Sequence, residues 1–299
     1  MIYRRLGKTE LNVSVVGVGT WQLGGEWGKT YQQKEVDQMM ARAKELGINL
    51  IDTAECYGDH TSERQVGNAV KHDRKDWIIA TKFGHKFHKN FERTTHFDPP
   101  SVQKQLEESL KSLQTDYIDL YQFHSGSNED FDNPDLWEML ARQVEAGKIR
   151  AVGLSITTAN PPLQVQKMSG YGISALQVIY NRLSREPELE IFPTCQREDI
   201  GVLTRVPLAS GFLSGKYTPD TKFSNPDDVR SLRDQEEIRK QLLEVEKIKV
   251  EEVPAGVDMA QWALAWCLHH PAVTAVIPGC KNVEQVESNA RAVELNKLD

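Results

Sequence analysis

Short apolar segments alternate with amphipathic segments along the chain. The apolar segments are rich in Val, Ile and Leu and have the length of β-strands. They occupy residues 13–19, 48–52, 77–83, 117–124, 149–155, 175–181, 201–209 and 273–279. Apolar residues at helical spacing lie between them, with charged residues on the opposite face, most clearly at 34–46, 100–113, 134–145 and 258–269. This order predicts a parallel sheet whose strands are joined by helices.

The number of predicted strands favours a closed barrel over an open sheet. Eight β/α units predict a (β/α)8 barrel of the TIM type, which we expect to form one domain over residues 1–299. A doubly wound open sheet is the alternative, but the segment VVGVGTWQLGG has Gln22 where a dinucleotide fingerprint needs its third glycine.

Three further elements are predicted outside the regular alternation. The segments IYRRL and LNVS predict an N-terminal β-hairpin that closes the floor of the barrel. Residues 218–257 are long for one connection and should include an extra charged helix near 234–249. The helix predicted near 188–198 is weaker, because Pro193 interrupts its pattern.

Composition and charge exclude several classes of protein. The formal net charge of −7 and the lack of an arginine-rich segment argue against nucleic-acid binding. No apolar run approaches the ~18 residues of a membrane helix, and the charged N-terminus lacks a signal-peptide core. The four cysteines are scattered, so we expect free thiols. We therefore expect a cytoplasmic protein, monomeric or weakly homo-oligomeric, that binds neither nucleic acid nor membranes.

Polar side chains end several of the predicted strands. Asp52, Lys82 and His124 close the second, third and fourth strands. Ser155 closes the fifth strand, and Gln177 lies in the sixth. Because the carboxyl ends of the strands surround the active site of such a barrel, these side chains should converge on one pocket.

Tyr57, in the loop after Asp52, completes a set suited to proton transfer. A phenol has a pKa of about 10 and is a poor proton donor at neutral pH. The ammonium of Lys82 would lower that pKa, with Asp52 as its counter-ion, and His124 could bind a reacting oxygen. The set predicts proton donation to a carbonyl compound. A Schiff base on Lys82, as in barrel aldolases, is the alternative.

A series of motifs in this order resembles the aldo-keto reductase superfamily. The motifs are GINLIDTAECYGDHTSE, IIATKFG, LQTDYIDLYQFH, EAGKIRAVGLS and PLASGFLSGKY, and the match continues to IPGCKNVEQVESNARA. The resemblance implies a (β/α)8 barrel that reduces aldehydes or ketones to alcohols with NAD(P)H. It implies no metal and a small carbonyl substrate that contacts Trp21, Tyr57 and His124. Its catalytic residues would be Asp52, Tyr57, Lys82 and His124.

The resemblance also implies a cofactor site, with NADPH expected and NADH as the alternative. Ser155 and Gln177 would bind the nicotinamide carboxamide, and Lys281 would bind a 2′-phosphate, although Glu284 and Glu287 nearby weigh against it. The complete set of expected cofactor residues is Thr20, Trp21, Asp52, Ser155, Gln177, Arg205, Leu208, Ser210, Gly211, Leu213, Lys216, Gly279, Lys281, Gln285 and Asn289.

Two positions depart from the family pattern. Ile156 replaces the asparagine that usually follows the serine, so one carboxamide contact is either missing or supplied elsewhere, with Asn181 as the candidate. Arg205 occupies a position where many members have an aromatic ring; a guanidinium can stack on the nicotinamide but adds charge. These departures bear on cofactor affinity and substrate preference.

The resemblance also leaves an alternative function, a barrel that binds NADP(H) and reports redox state to a partner with little turnover, as channel β-subunit relatives do.

The segment 84–97 is expected to be a positively charged loop at the substrate entrance. Its histidines, His85, His88 and His96, do not have the spacing of a convincing zinc site. Trp21, Trp27 and Phe87 are candidates for an aromatic wall of the substrate pocket, with ordinary packing as the alternative.

Overall fold

Eight parallel strands form a barrel in the computed structural model, which describes residues 1–157 and 161–295. The chain passes through β1 (Tyr3–Arg5), β2 (Asn12–Ser14), β3 (Val18–Gly19), β4 (Leu50–Asp52), β5 (Ile78–Phe83), β6 (His85–Lys89), β7 (Glu92–Thr95), β8 (Ile118–His124), β9 (Ile149–Ser155), β10 (Ala175–Ile179), β11 (Gly201–Arg205) and β12 (Ala275–Val276). Strands β3, β4, β5 and β8 to β12 pair in sequence order. The Gly17 amide donates to the Val276 carbonyl at 2.8 Å and Gly19 bridges Gly279, which closes the ring. The predicted (β/α)8 fold is confirmed.

The helices follow the strands, mostly within one or two residues of the predicted ranges. They are α1 (Gln33–Glu45), α2 (Thr61–Val70), α3 (Pro99–Leu113), α4 (Asn128–Phe131), α5 (Pro134–Glu145), α6 (Pro161–Lys167), α7 (Pro187–Arg197), α8 (Gln235–Glu251), α9 (Met259–His269) and α10 (Val283–Leu295). Helix α8 is the extra charged helix. Helix α7 forms despite Pro193, because Ile191, Phe192 and Cys195 are buried against the barrel. Across the described ranges, no helix combines the length and the apolar character that a membrane crossing requires.

Two segments differ from the prediction. The apolar run 13–19 is divided between two sheets, because Val13 and Ser14 pair with the N-terminal strand β1 while Val18 and Gly19 enter the barrel. The Ser14 hydroxyl donates to the Val16 carbonyl at 2.8 Å, within the turn that separates the two parts. The segment 84–97, expected as a loop, contains the antiparallel hairpin β6–β7.

The N-terminal hairpin closes the floor of the barrel, as predicted. Leu6, Leu11 and Val13 join the small apolar side chains that fill the barrel interior, which are Leu50, Ile78, Ala80, Leu120, Ala151, Ala175, Leu203, Ala275 and Ile277. Gly7 has a φ of +53° and lies against Gly201, the first residue of β11. A Cβ atom on Gly7 would lie 2.1 Å from the Gly201 nitrogen. Glycine is therefore required where the hairpin docks.

A buried carboxylate joins three parts of the chain near this floor. Asp119 on β8 accepts hydrogen bonds from the Arg74 guanidinium at 2.7 Å, from Arg150 at 2.6 Å and from the Ile79 amide at 2.9 Å. Its side chain is fully buried, whereas the Lys148–Glu107 pair nearby is exposed. Removing one partner of a buried ion pair leaves an uncompensated charge, while exposed pairs contribute little.

We therefore predict that Asp119→Ala lowers the free energy of unfolding by about 3–5 kcal/mol, measured by urea denaturation. The matched control is Glu107→Ala, which removes a carboxylate from an exposed pair and should change the free energy of unfolding by about 1 kcal/mol or less. Equal losses in the two variants would contradict the structural role assigned to Asp119.

Candidate active site

A cleft of about 630 Å³ opens at the carboxyl ends of the barrel strands. Most of the residues singled out in the sequence line it: Thr20, Trp21, Asp52, Tyr57, His124, Gln177, Arg205, Leu208, Ser210, Gly211, Lys216, Gly279, Lys281, Gln285 and Asn289. Lys82, Ser155 and Leu213 are buried and do not form its wall. Leu213 packs in an apolar cluster with residues of α8 and α9, so its side chain is not available to a ligand.

An ion pair lies directly beneath the cleft. The Lys82 ammonium donates to Asp52 Oδ2 at 2.8 Å, to the Thr53 carbonyl at 2.7 Å and to the Tyr57 hydroxyl at 3.2 Å. Burial alone would lower the pKa of Lys82, but Asp52 and Tyr57 outweigh it and raise the pKa above its ordinary value. The amine is therefore charged and fully buried, so it is not the free nucleophile that a Schiff base requires.

The second oxygen of Asp52 binds two amide side chains. Asp52 Oδ1 accepts from Gln177 Nε2 at 2.7 Å and from Gln122 Nε2 at 3.3 Å. Gln177 Nε2 also donates to the side-chain oxygen of Gln122, Oε1, at 3.2 Å. These bonds hold the carboxylate in place, and they leave the side-chain oxygen of Gln177 as its group for binding a ligand.

Tyr57 reaches the ion pair from a tight loop. Gly58, with a φ of +65°, lies against Gly24, where a Cβ would come within 2.7 Å of the Gly24 carbonyl oxygen. Burial raises the pKa of Tyr57 to about 12, and the Lys82 ammonium offsets this only in part. Lys82 lowers the pKa of Tyr57, as expected from the sequence, but burial outweighs this effect, so the expected net lowering is wrong. The phenol is therefore protonated at neutral pH.

His124 is held by groups behind its ring. Its Nδ1 lies 3.8 Å from Cys56 Sγ and 3.9 Å from Glu55 Oε2, while its backbone carbonyl lies 2.6 Å from His85 Nε2. Burial lowers the pKa of His124 to about 3, so the imidazole is neutral at pH 7. Burial also raises the pKa of Cys56, which is therefore a thiol that can donate to Nδ1. The sequence had suggested no role for Cys56.

The other end of the cleft has polar groups suited to a dinucleotide. Nearer the reacting groups, Ser155 pairs with His124 across β8 and β9, and its buried Oγ has no hydrogen-bond partner among the described residues. Lys216 and Lys281 line the wall, and Arg230 lies beside them, paired with Asp228 at 2.6 Å. Cations around a concave site fit the phosphates of NAD(P)H. The residues present therefore fit the expected cofactor.

Asn181 does not provide the expected second carboxamide contact. Its Nδ2 donates to the Val206 carbonyl at 2.9 Å, and its Oδ1 accepts from the Leu183 amide at 2.9 Å. The side chain is therefore bonded both to its own loop and to the loop after β11. Neither Asn181 nor Ile156 lines the cleft among the described residues.

The substrate end of the cleft is bordered by aromatic and charged side chains. Trp21 stacks on Tyr57 with ring centroids 6.3 Å apart and meets Trp27 edge to face at 5.2 Å. Arg93, on β7, also lines this end and binds the buried carboxylate of Glu26. Phe87, expected in the aromatic wall, is not part of the cleft lining within the described ranges.

The three histidines of segment 84–97 do not meet at one point. His88 Nε2 and His96 Nε2 each lie 3.0 Å from the Thr94 hydroxyl, whereas His85 Nε2 is directed to the His124 backbone. His88 and His96 therefore share one partner in the hairpin, and of the three only His85 reaches the cleft wall in the described part of the chain.

The fold and the site can be compared with known proteins. The model of the Aldo/keto reductase family matches residues 15–299. The chain belongs to this family. Members of this family are oxidoreductases, so the chain is an oxidoreductase. Its sequence aligns with those of similar proteins over nearly their whole length.

The similar proteins include enzymes that differ in cofactor. An uncharacterized oxidoreductase of Bacillus subtilis, YqkF, is 32% identical, with 99% of this chain and 92% of the relative covered. The aldo-keto reductase yakc [NADP(+)] of Schizosaccharomyces pombe is 31% identical, with coverage of 99% and 88%. The NADH-specific methylglyoxal reductase of Escherichia coli is 29% identical, with coverage of 98% and 94%. Relatives at this distance therefore use either nucleotide.

A solved structure supports the barrel assignment. The holo form of aldo-keto reductase AKR11C1 from Bacillus halodurans superposes with a TM-score of 0.82 at 32% identity. The superposition covers 98% of this chain and 91% of that chain.

Several groups at the site were not anticipated. Glu55 was detectable as a carboxylate two residues before Tyr57, but its direction toward His124 depends on the loop conformation. Arg93 reaches the cleft only because its segment folds as a hairpin. Arg230 and Asp228 lie in the connection before α8, which brings them against Trp27 through a backbone bridge between Trp27 and Asp228. Because this connection is long and polar, its sequence has no pattern that would have indicated the position of Arg230 and Asp228 at the cleft.

The buried ion pair allows a test that does not depend on activity. We predict that Asp52→Asn and Lys82→Met each lower the free energy of unfolding by about 3–5 kcal/mol, because each leaves one charge buried alone. The double variant should lose less than the sum, since both charges are removed. Urea denaturation of the four proteins without cofactor measures this coupling. Losses that add within about 0.5 kcal/mol would show that the two groups are not coupled.

Proposed function

We propose that residues 1–299 form a single-domain, NADPH-dependent reductase that converts aldehydes or ketones to alcohols. The observation that carries this proposal is the position of Lys82, whose ammonium binds Asp52 and the Tyr57 hydroxyl together beneath the cleft. This is the arrangement needed to protonate an oxygen bound in the cleft and to stabilise the phenolate that remains. The family membership supports the same reaction class.

The residues of this chain have distinct roles in the proposed reaction. When bound, NADPH supplies the hydride that reduces the carbonyl carbon. Tyr57 donates its proton to the carbonyl oxygen, and Lys82, held by Asp52, stabilises the resulting phenolate. Neutral His124 orients the carbonyl oxygen, with Nδ1 directed away from the cleft toward Cys56. Trp21 covers Tyr57 on one side and limits the access of water.

The cofactor would lie along the wall formed by β9 to β12 and the loops after them. Ser155 and Gln177 would bind the nicotinamide carboxamide, and backbone groups around Ser210 and Gly211, with Lys216, would bind the pyrophosphate. Gln285 and Asn289 would lie near the adenine. The remaining wall of the cofactor site would come from Thr20, Trp21, Leu208 and Gly279.

Lys281 is the basis for proposing NADPH rather than NADH. Its side chain lines the cleft above Trp27, 5.8 Å from the ring centroid, near the Arg230–Asp228 pair. A 2′-phosphate would provide a charge-assisted partner for this ammonium. The name of the relative yakc includes NADP(+), which supports this proposal. Because another relative is NADH-specific, the affinity for each nucleotide has to be measured.

Replacing Tyr57 by Phe tests the proposed reaction. We predict that Tyr57→Phe lowers kcat/KM for an aldehyde with NADPH by ~10²–10⁴-fold, because the general acid is removed. The Kd for NADPH should change little, and fluorescence titration measures it. Tyr171→Phe, which removes a hydroxyl bound to Asp132 on the surface, is the matched control and should keep full activity.

Two outcomes would contradict the proposal. An unchanged rate in Tyr57→Phe would show that the phenol is not the proton donor. Tight NADPH binding by the wild-type protein without turnover of any aldehyde or ketone would favour the regulatory alternative over the reductase.

Replacing Lys281 tests the preference for NADPH. We predict that Lys281→Met raises the Kd for NADPH about tenfold, the amount expected from one lost charge-assisted hydrogen bond, and leaves the Kd for NADH within about twofold. Isothermal titration with each nucleotide measures both constants. Lys247→Met, which removes an exposed lysine from α8, is the control. Equal weakening of both nucleotides would assign Lys281 to another part of the cofactor.

A further inference from the structure

Arg205 places a guanidinium at the reacting end of the cleft. It is the last residue of β11, and its Nη2 donates to the Ile156 carbonyl at 3.0 Å. The side chain lines the cleft together with Asp52, Tyr57 and Gln177. Its Nε is buried and has no hydrogen-bond partner in the described ranges.

This guanidinium differs from the other cations near the substrate end because no carboxylate neutralises it. Lys82 is paired with Asp52, and Arg93 with Glu26. Within residues 1–157 and 161–295, Arg205 has no carboxylate within 4.0 Å of its nitrogens. Burial lowers the pKa of Arg205, as expected for a charge without a close counter-ion, but a guanidinium stays protonated at neutral pH.

The position of Tyr57 defines where a reacting ring must lie. A carbonyl oxygen that accepts the Tyr57 proton holds its carbon one bond away, and the hydride donor must contact that carbon. The nicotinamide therefore has to enter the part of the cleft that Tyr57 shares with Gln177 and Arg205. This step rests on the proposed function. The nicotinamide ring is neutral in NADPH and carries one positive charge in NADP⁺.

We propose that Arg205 makes this cleft discriminate between the two oxidation states of the cofactor, so that NADPH binds more tightly than NADP⁺. In the overall reaction, NADPH, a proton and a carbonyl compound yield NADP⁺ and an alcohol. A fixed positive charge beside the ring repels the cationic product form and not the neutral form. The protein then selects reduced cofactor from a mixed pool and releases the oxidised form, which suits a reductase rather than an alcohol dehydrogenase.

The size of the effect follows from the electrostatics of a partly screened pair. Like charges several ångströms apart in a partly screened site repel strongly enough to change the relative affinity by a factor of about ten. The ratio of the two Kd values is the appropriate quantity, because the phosphates, ribose and adenine are the same in both nucleotides.

The test compares the Kd values for NADPH and NADP⁺ in the wild-type protein and three variants by isothermal titration. Arg205→Gln keeps an amide donor for Ile156 and removes the charge, so the preference for NADPH should fall about tenfold. Arg205→Lys keeps the charge and should keep most of the preference. Lys216→Met is the matched control, because loss of a phosphate-side cation should weaken both nucleotides equally.

The outcomes separate this inference from the proposed function. Binding of both nucleotides with a ratio unchanged by Arg205→Gln overturns the inference and leaves the reductase intact. An equal fall in the ratio for Arg205→Gln and Arg205→Lys would overturn it too, because shape rather than charge would then decide. If the wild-type protein binds neither nucleotide, the proposed function fails and the inference fails with it.

Discussion

Lys82 is completely buried, and its ammonium keeps its charge there because Asp52 lies 2.8 Å away. The two residues come from adjacent strands, Asp52 from β4 and Lys82 from β5. The amides of Gln122 and Gln177, from β8 and β10, fix the other oxygen of the carboxylate. Four strands therefore hold one charge pair, and the position of Tyr57 depends on it.

The fold was largely predictable because its signals are local. The apolar segments indicate strands and the segments with helical spacing indicate helices, each from its own residues alone. Eight such strand–helix units predict a barrel. The prediction failed at two short segments next to local hairpins. The strand predicted at 13–19 was too long, because Val13 and Ser14 belong to the N-terminal hairpin that was itself predicted, and the hairpin β6–β7 forms in a polar segment with little apolar pattern.

The candidate site was predictable to the extent that strands determine it. Asp52, Lys82 and His124 end strands, so the parallel arrangement alone brings them together at one end of the barrel. Residues on the later loops could be placed only by structure. Asn181 has an amide that could bind a carboxamide, but its Nδ2 donates to the Val206 carbonyl in the loop after β11. Arg230 reaches the cleft through a long connection whose course no local pattern indicates.

The cations along the cleft fall into two groups, those paired with carboxylates and those without an ion-pair partner among the described residues. Close to Tyr57, Lys82 and Arg93 are neutralised by carboxylates, so a polar but uncharged carbonyl group can enter at little electrostatic cost. Toward β11 and β12, Arg205, Lys216 and Lys281 have no ion-pair partner in the described part of the chain. Unpaired cations in a cleft are unfavourable until an anion arrives. Binding of a dinucleotide would therefore relieve repulsion at the phosphates, while Arg205 would favour the neutral, reduced ring over the cationic one.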